Sequence, residues 1–320
     1  MDYIHFSEKY EKQVINLWNE CLFIDKIDDE TFRFKTILDD NFDANLSYVA
    51  IDENKVVGFG YATKRKFPYL ERGLEPDRGF INVLFVDKNY RRQGIGTTIY
   101  KKMEEDLVCL GAKEITLAAY SPSYYFYGVD ESNYPEAKLF YESLGYEAKE
   151  LHYSMGMDLS NFNISKSVLD KKKQLEDKGY KFTSFTNERC LELLEFLKNE
   201  FGGGWKRNAL LAMRNNVAKE LIILVLDSED KICGFSMSAI DNNPYRFGPI
   251  GIAAEKRNEG IGSVLLNYSF LHMKNRGLNR MFFFTTDEPG KRYYERNGLH
   301  VIRTVRNYRK KINDKDSTKQ

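Results

Sequence analysis

The stretch Arg91-Arg92-Gln93-Gly94-Ile95-Gly96-Thr97 sets two guanidinium groups beside two glycines where a helical pattern begins. Such a turn can hold a phosphate. The unpaired backbone N–H groups and positive dipole end of a helix start attract an anion, and glycines let it come close. The arginines add formal charge. A Walker loop is excluded, because Gly96 is followed by Thr97-Thr98 with no lysine. A dinucleotide fingerprint is excluded too, because its third small position is Ile99. The residues alone leave open which phosphate ligand the turn serves, or whether it is only a basic, glycine-assisted helix start.

The elements around this turn read clearly. Ile81 to Val86 is an apolar, β-branched run of strand length, and Asp87 to Tyr90 is a polar turn. From Gly94 the pattern is helical, with Ile95, Ile99, Met103 and Leu107 four residues apart. Before this unit the spacing predicts a strand at 3–6, helices at 7–22 and 29–38, and paired strands at 46–51 and 55–62. After it come a strand at 114–119, an aromatic loop, a helix at 135–144 and a strand from Tyr146.

This order occurs twice. Arg91-x-x-Gly94-Ile95-Gly96 recurs 166 residues on as Arg257-x-x-Gly260-Ile261-Gly262, within Arg257-Asn258-Glu259-Gly260-Ile261-Gly262-Ser263. The strand before it recurs as well, Leu84-Phe85-Val86 against Ile250-Gly251-Ile252. Lys55-Val56-Val57-Gly58-Phe59 matches Lys231-Ile232-Cys233-Gly234-Phe235, and Phe140-Tyr141-Glu142 matches Tyr293-Tyr294-Glu295. The spacing predicts two domains, at 1–159 and 179–312, a linker with one amphipathic helix at 160–178, and a polar tail at 313–320.

Composition narrows the class. Lys plus Arg (48) nearly balances Asp plus Glu (47), which argues against nucleic-acid or membrane-surface binding driven by net charge. The basic run from Arg303 to Lys311 reads as a solvated last strand. The N-terminal residues lack a signal-peptide core, and no apolar run approaches membrane-spanning length, so the expected location is cytoplasmic. Cys21, Cys109, Cys190 and Cys233 are scattered, as are the four histidines, which argues against a disulfide frame or a metal site.

Arg-x-x-Gly-x-Gly after a strand resembles the acetyl-CoA loop of the GNAT N-acetyltransferase superfamily. Two copies with matching flanks, in the order β-α-α-β-β-β-α-β-α-β, extend the resemblance over the chain outside linker and tail. It implies an α/β (α+β) fold of two tandem acyl-CoA N-acyltransferase domains. Each would have a mixed, mostly antiparallel twisted sheet with a central parallel strand pair and flanking helices. It also implies acetyl-CoA as the acyl donor and the primary amine of a small molecule or peptide as acceptor. As a pseudo-dimer the chain is expected to act as a monomer, with a homodimer as the alternative.

The resemblance carries over to residues position by position. Leu84, Phe85 and Val86 would pair with the pantetheine arm, and Arg91, Arg92, Gln93, Gly94, Ile95, Gly96 and Thr97 would hold the pyrophosphate. The second copy offers Ile250, Gly251 and Ile252, then Arg257 through Ser263. Its Asn258 and Glu259 stand where Arg92 and Gln93 stand in the first, so the first site is expected to bind more tightly. Ala137-x-x-Phe140-Tyr141-x-x-x-Gly145-Tyr146 matches the family's acid-bearing helix, which makes Tyr141 the candidate general acid. Gly290-x-x-Tyr293-Tyr294-x-x-x-Gly298 matches less fully and keeps Tyr294. Asn82, Glu75, Asp77 and Asp130 border the first acceptor side, Tyr124 to Tyr127 either line a pocket or pack their loop, and Trp205 suits core packing better than substrate contact. Competing readings are one catalytic half beside a structural or regulatory half, and an acyl-CoA sensor without turnover.

Overall fold

A computed structural model describes residues 1–312, so the tail expected at 313–320 lies outside the described residues. In chain order the elements are β1 (Asp2–His5), α1 (Glu11–Cys21), α2 (Asp29–Phe32), β2 (Ser47–Asp52), β3 (Lys55–Thr63) and β4 (Arg78–Val86). Then come α3 (Ile95–Cys109), β5 (Glu114–Leu117), α4 (Pro135–Ser143), β6 (Glu147–Asp158), α5 (Lys166–Glu176) and β7 (Lys181–Ser184). The rest are α6 (Cys190–Phe201), α7 (Gly203–Arg214), α8 (Ala218–Leu221), β8 (Ile222–Leu226), β9 (Ile232–Ser238), β10 (Phe247–Ile252), α9 (Ile261–Asn275), β11 (Arg280–Phe283), α10 (Glu288–Arg296) and β12 (His300–Lys311). The expected helix at 7–22 is a 3₁₀ turn at Glu8–Tyr10 followed by α1, and Ser7 makes no side-chain cap bond. The second helix begins as α2, capped by Asp28, and continues as a π-helical turn at Arg33–Ile37.

The described chain forms two compact units. Unit 1 comprises residues 1–152 with the segment from Thr304, and unit 2 comprises Tyr153–Arg303. Each copy in chain order thus ends in a strand that completes the other copy's unit. Unit 1 orders its strands β1-β2-β3-β4-β5-β12, antiparallel except for the β4–β5 pair. The basic run is therefore not simply solvated: Arg309, Lys310 and Lys311 face Thr116, Ile115 and Glu114 across the β12–β5 ladder, and Val305 and Tyr308 are buried. Unit 2 orders β7-β8-β9-β10, all antiparallel, and one parallel bridge, Arg246 to Phe282, joins β10 to β11, which pairs with β6.

Apolar side chains alternate along the unit 1 strands and so fill both faces of the sheet. One face packs Ile95, Ile99, Met103 and Leu107 of α3 against Ala50, Ala62 and Ile81. The other packs Val14, Leu17 and Trp18 of α1 against Phe59, Val83 and Phe85. The α3 face leaves no room at Gly60. A Cβ there would stand 2.5 Å from Ile99 Cγ2 and 2.8 Å from Met103 Cε. Gly60→Val is expected to lower unfolding stability in urea by about 1–3 kcal/mol through overpacking. An unchanged midpoint would show that α3 sits further from the sheet.

Unit 2 repeats the arrangement with one exchange of bulk. Phe85 in unit 1 meets Trp18 edge to face at 5.6 Å. Its counterpart Gly251 leaves space that Phe201 and Trp205 fill, a Cβ there lying 2.5 Å from Phe201 and 2.8 Å from Trp205. Trp205 stacks on Phe201 at 4.4 Å, the packing role expected of it.

Candidate functional site

The site of unit 1 is built where β4 parts from β5. The two strands pair from Arg78–Glu114 to Ile81–Leu117 and no further. Ala118 and Ala119 then adopt positive φ angles of 54° and 53°, which turns the chain away from β4. On its other side β4 stays paired with β3 through Val86, with a bulge that leaves Asn82 without a partner across the ladder. From Asn82 to Val86 one edge of β4 therefore has no strand beside it. A bulge and an unpaired edge are where an extended ligand can take the place of a strand.

At the end of that edge the chain enters the glycine turn. Asp87 accepts hydrogen bonds from Asn89 N (2.9 Å) and Lys55 Nζ (2.8 Å), which hold its carboxyl below the usual carboxylate range. Arg91 donates from Nε to Val86 O at 3.1 Å, so its stem fastens the turn to the end of β4. Arg92 and Gly94 both have positive φ, 62° and 82°. Glycine suits the second position because a side chain would be strained there, and a Cβ at Gly94 would meet open space. No side chain caps α3, and the first helical bond runs from Thr98 N to Gly94 O. The N–H groups of Ile95, Gly96 and Thr97 thus have no intrahelical acceptor. Two arginines and three such N–H groups fit a diphosphate, and the free edge of β4 fits an extended amide-bearing arm.

Helix α4 lies over the start of α3. The Phe140 ring stands 3.8 Å from where a Gly96 Cβ would be, and Tyr141 belongs to the same apolar cluster as Leu84, Val86 and Ile95. Tyr141 is 8% exposed, with Phe140 and Tyr146 ring centroids at 5.2 and 5.5 Å. Burial alone pushes its phenol well above the ordinary tyrosine range, so it holds its proton.

On the α1 side of the bulge, Asn82 donates from Nδ2 to Thr63 Oγ1 at 2.7 Å, while its buried Oδ1 has no partner among the described residues. Beyond it, Asp39 accepts from Tyr120 OH (2.8 Å) and Ser123 Oγ (2.6 Å), and Asn41 donates to Tyr120 OH (2.9 Å). No motif announces this network, because its members come from loops of unrelated pattern. The other polar candidates have structural duties. Glu75 pairs with Arg65 and Arg78, Asp77 pairs with Lys113, and Asp130 caps its own turn at Ser132 and Asn133. In the aromatic loop, Tyr125 is buried against Trp18 at 4.7 Å and bonded to Thr36, while Tyr124 and Tyr127 pack together at 5.6 Å.

Unit 2 reproduces the turn closely. Arg257 Nε donates to Ile252 O at 3.1 Å, Asn258 and Gly260 have φ of 67° and 86°, and no side chain caps α9. It differs along β10, where Pro249 occupies the position of Val83 and carries no N–H. Ser263 Oγ donates to Asn297 Oδ1 at 2.6 Å. Glu259 accepts from Tyr180 OH at 3.0 Å, a contact the sequence pattern gave no reason to expect. Tyr294 packs on Phe283 at 4.6 Å, and burial, with Asp287 nearby, pushes its phenol up to about 12. Among the described residues no helix is long and apolar enough to cross a membrane.

Comparison with known proteins agrees with this geometry. A sequence model described as acetyltransferase (GNAT) family matches residues 11–146, and one described as acetyltransferase (GNAT) domain matches residues 219–299. No curated protein matches the sequence. Among solved structures, a GCN5-related glucosamine N-acetyltransferase region of a fungal multi-domain GH3 β-N-acetylglucosaminidase superposes with a TM-score of 0.79 at 17% identity. It covers 96% of this chain, which spans only 38% of that protein. A GCN5-related N-acetyltransferase from Sphaerobacter thermophilus gives 0.71 at 15% identity, covering 97% and 95% of the two chains. A tandem GNAT protein from the clavulanic acid biosynthesis pathway gives 0.64 at 12% identity, covering 97% and 98%. At these identities the likeness is one of fold.

Proposed function

The chain belongs to the GNAT acetyltransferase family as a tandem of two GNAT domains, and on that premise we propose that it transfers acetyl from acetyl-CoA directly to a primary amine. The observation that carries this reading is the continuity of the unpaired edge of β4 with the uncapped, arginine-bearing start of α3. Bound there, acetyl-CoA would supply the acetyl group as a thioester, a form ready for attack by nitrogen.

The chain's own residues then do four things. The N–H groups of Ile95, Gly96 and Thr97, with Arg91 and Arg92, bind the diphosphate. The edge at Leu84–Val86 aligns the arm, so that its acyl end lies toward the bulge at Asn82. A backbone N–H of that edge faces the negative charge that grows on the carbonyl oxygen as the C–N bond forms. Tyr141 gives its proton to the sulfur as the C–S bond breaks, and the amine's proton leaves to solvent. Cys21 is no rival acyl carrier. Its thiol is bonded to Val86 O at 3.4 Å, and burial pushes its pKa up, so little thiolate forms.

The acceptor class is a small-molecule or peptide amine. It would enter from the α1 side, past Asn82 and the network around Asp39. The test is release of CoA thiol from acetyl-CoA with a panel of primary amines that includes amino sugars and peptides. At least one amine should give thiol release together with an equal amount of acetylated amine. No thiol release with any amine in the panel would leave binding without turnover as the surviving account.

A further inference from the structure

We infer that Lys171, on a helix outside both copies of the repeat, supplies positive charge that the second glycine turn lacks, so that unit 2 also holds the diphosphate of a coenzyme A ligand. This rests on the reading of the glycine turns proposed above and extends it to a residue the repeat does not contain. The second turn is electrostatically weaker than the first. Asn258 replaces Arg92, and Glu259 replaces Gln93. The fold offsets this in part. The Glu259 carboxylate is held by the Tyr180 hydroxyl at 3.0 Å, which fixes its position and leaves its charge. Helix α5, capped by Ser165, packs against α9 and lays Lys171 across the turn.

The lysine approaches the turn closely, at a position whose positive φ already favours glycine. A Cβ on Gly260 would stand 2.4 Å from Lys171 Cε and 3.4 Å from its Nζ, whereas the same atom on Gly94 would meet nothing. Lys171 is half-buried and has no carboxylate partner among the described residues, while its neighbour Lys172 is paired with Glu176. The Tyr293 hydroxyl lies 3.2 Å from the Cβ position of Gly262, adding a neutral donor that Phe140 cannot offer in unit 1. A lysine ammonium, an arginine fastened by Nε alone and three N–H groups at a helix start thus meet at one turn, with the Glu259 carboxylate held beside them by Tyr180. The donors and cations outweigh that one carboxylate, and a diphosphate can accept from each of them. Lysine acts here as a point charge, so Arg at the same position would serve in its place.

The test is calorimetry of the full chain with coenzyme A. Wild type is expected to bind two molecules per chain. Lys171→Ala should weaken one of the two sites about tenfold or more, as loss of a charged hydrogen bond does, and leave the other unchanged. Lys171→Arg should restore it, which separates a binding role from a merely structural one. Unchanged affinity in Lys171→Ala, or a tighter second site, would overturn the inference, the latter by showing the lysine to be a plug. A single wild-type site sensitive only to Arg91 and Arg92 would overturn it as well and leave the proposed function standing. No coenzyme A binding at all would instead bring down the reading of the turns.

Discussion

Tyr141→Phe is expected to lower the turnover rate by about a hundredfold or more, with the Michaelis constant for acetyl-CoA little changed. The substitution deletes one oxygen and keeps the ring among Phe140, Tyr146 and the start of α3. Burial, and no hydrogen bond, sets the environment of the Tyr141 phenol, so removing the oxygen breaks no bond found among the described residues. The pH profile is the sharper readout. Burial raises the phenol's pKa, so the protonated, donating form prevails below that raised value and is lost only above it. Wild type should therefore keep its activity past about pH 10, where an ordinary tyrosine loses its proton. Acidic-limb losses would belong to the amine's own protonation, and Tyr141→Phe should leave that limb in place. A variant with full rate and an unaltered profile would place the acid elsewhere.

The second large effect falls on binding. Arg91→Ala combined with Arg92→Ala is expected to raise the dissociation constant of one coenzyme A site about 10- to 100-fold. The two arginines contribute differently. Arg92 is an exposed cation at positive φ, and its loss should matter less as salt rises. Arg91 also ties the turn to Val86 O, so its loss loosens the junction of strand and helix as well as removing charge. Arg91→Lys would keep the charge without reproducing the Nε bond, and should fall between wild type and Arg91→Ala. A dissociation constant equal to wild type at low salt would show that neither arginine meets the ligand.

Much of this site could be read from the residues, because the features that make it are local. A strand, two glycines at left-handed positions and an amphipathic helix follow one another within Ile81 to Leu107. Gly94 and Gly260 adopt the backbone their motif requires. The tandem family and its sheet class were equally legible, since the repeat spells the element order twice. What the pattern could not supply comes from pairings distant in sequence. Thr304 to Lys311 reads as the end of the second copy, yet its ladder partner is β5 of the first unit. Alternation fixes that such a strand exists, and only packing decides which edge receives it. Asn82 stood among four polar residues of equal merit until the bulge set it apart and ion pairs occupied Glu75 and Asp77. Lys171 and Tyr180 were invisible for a plainer reason: each acts across the fold on a turn whose own motif already looked complete.

Unit 1 and unit 2 also show how a duplicated site can keep its frame while its chemistry drifts. The turn geometry is conserved to within a few degrees at Gly94 and Gly260. The strand beside it is not, since Pro249 removes an N–H and Gly251 hands its volume to Phe201 and Trp205. A diphosphate grip needs only the turn. Acetyl transfer needs the edge as well, and there the two units differ in sequence.

The most direct measurement is the structure of the full chain bound to coenzyme A. The diphosphate should lie against the N–H groups of Ile95, Gly96 and Thr97 with Arg91 and Arg92 beside it. The pantetheine arm should run along the unpaired edge from Val86 toward Asn82, its sulfur within reach of the Tyr141 hydroxyl. A ligand whose arm leaves the β4 edge bare, or whose sulfur ends away from Tyr141, would contradict the account.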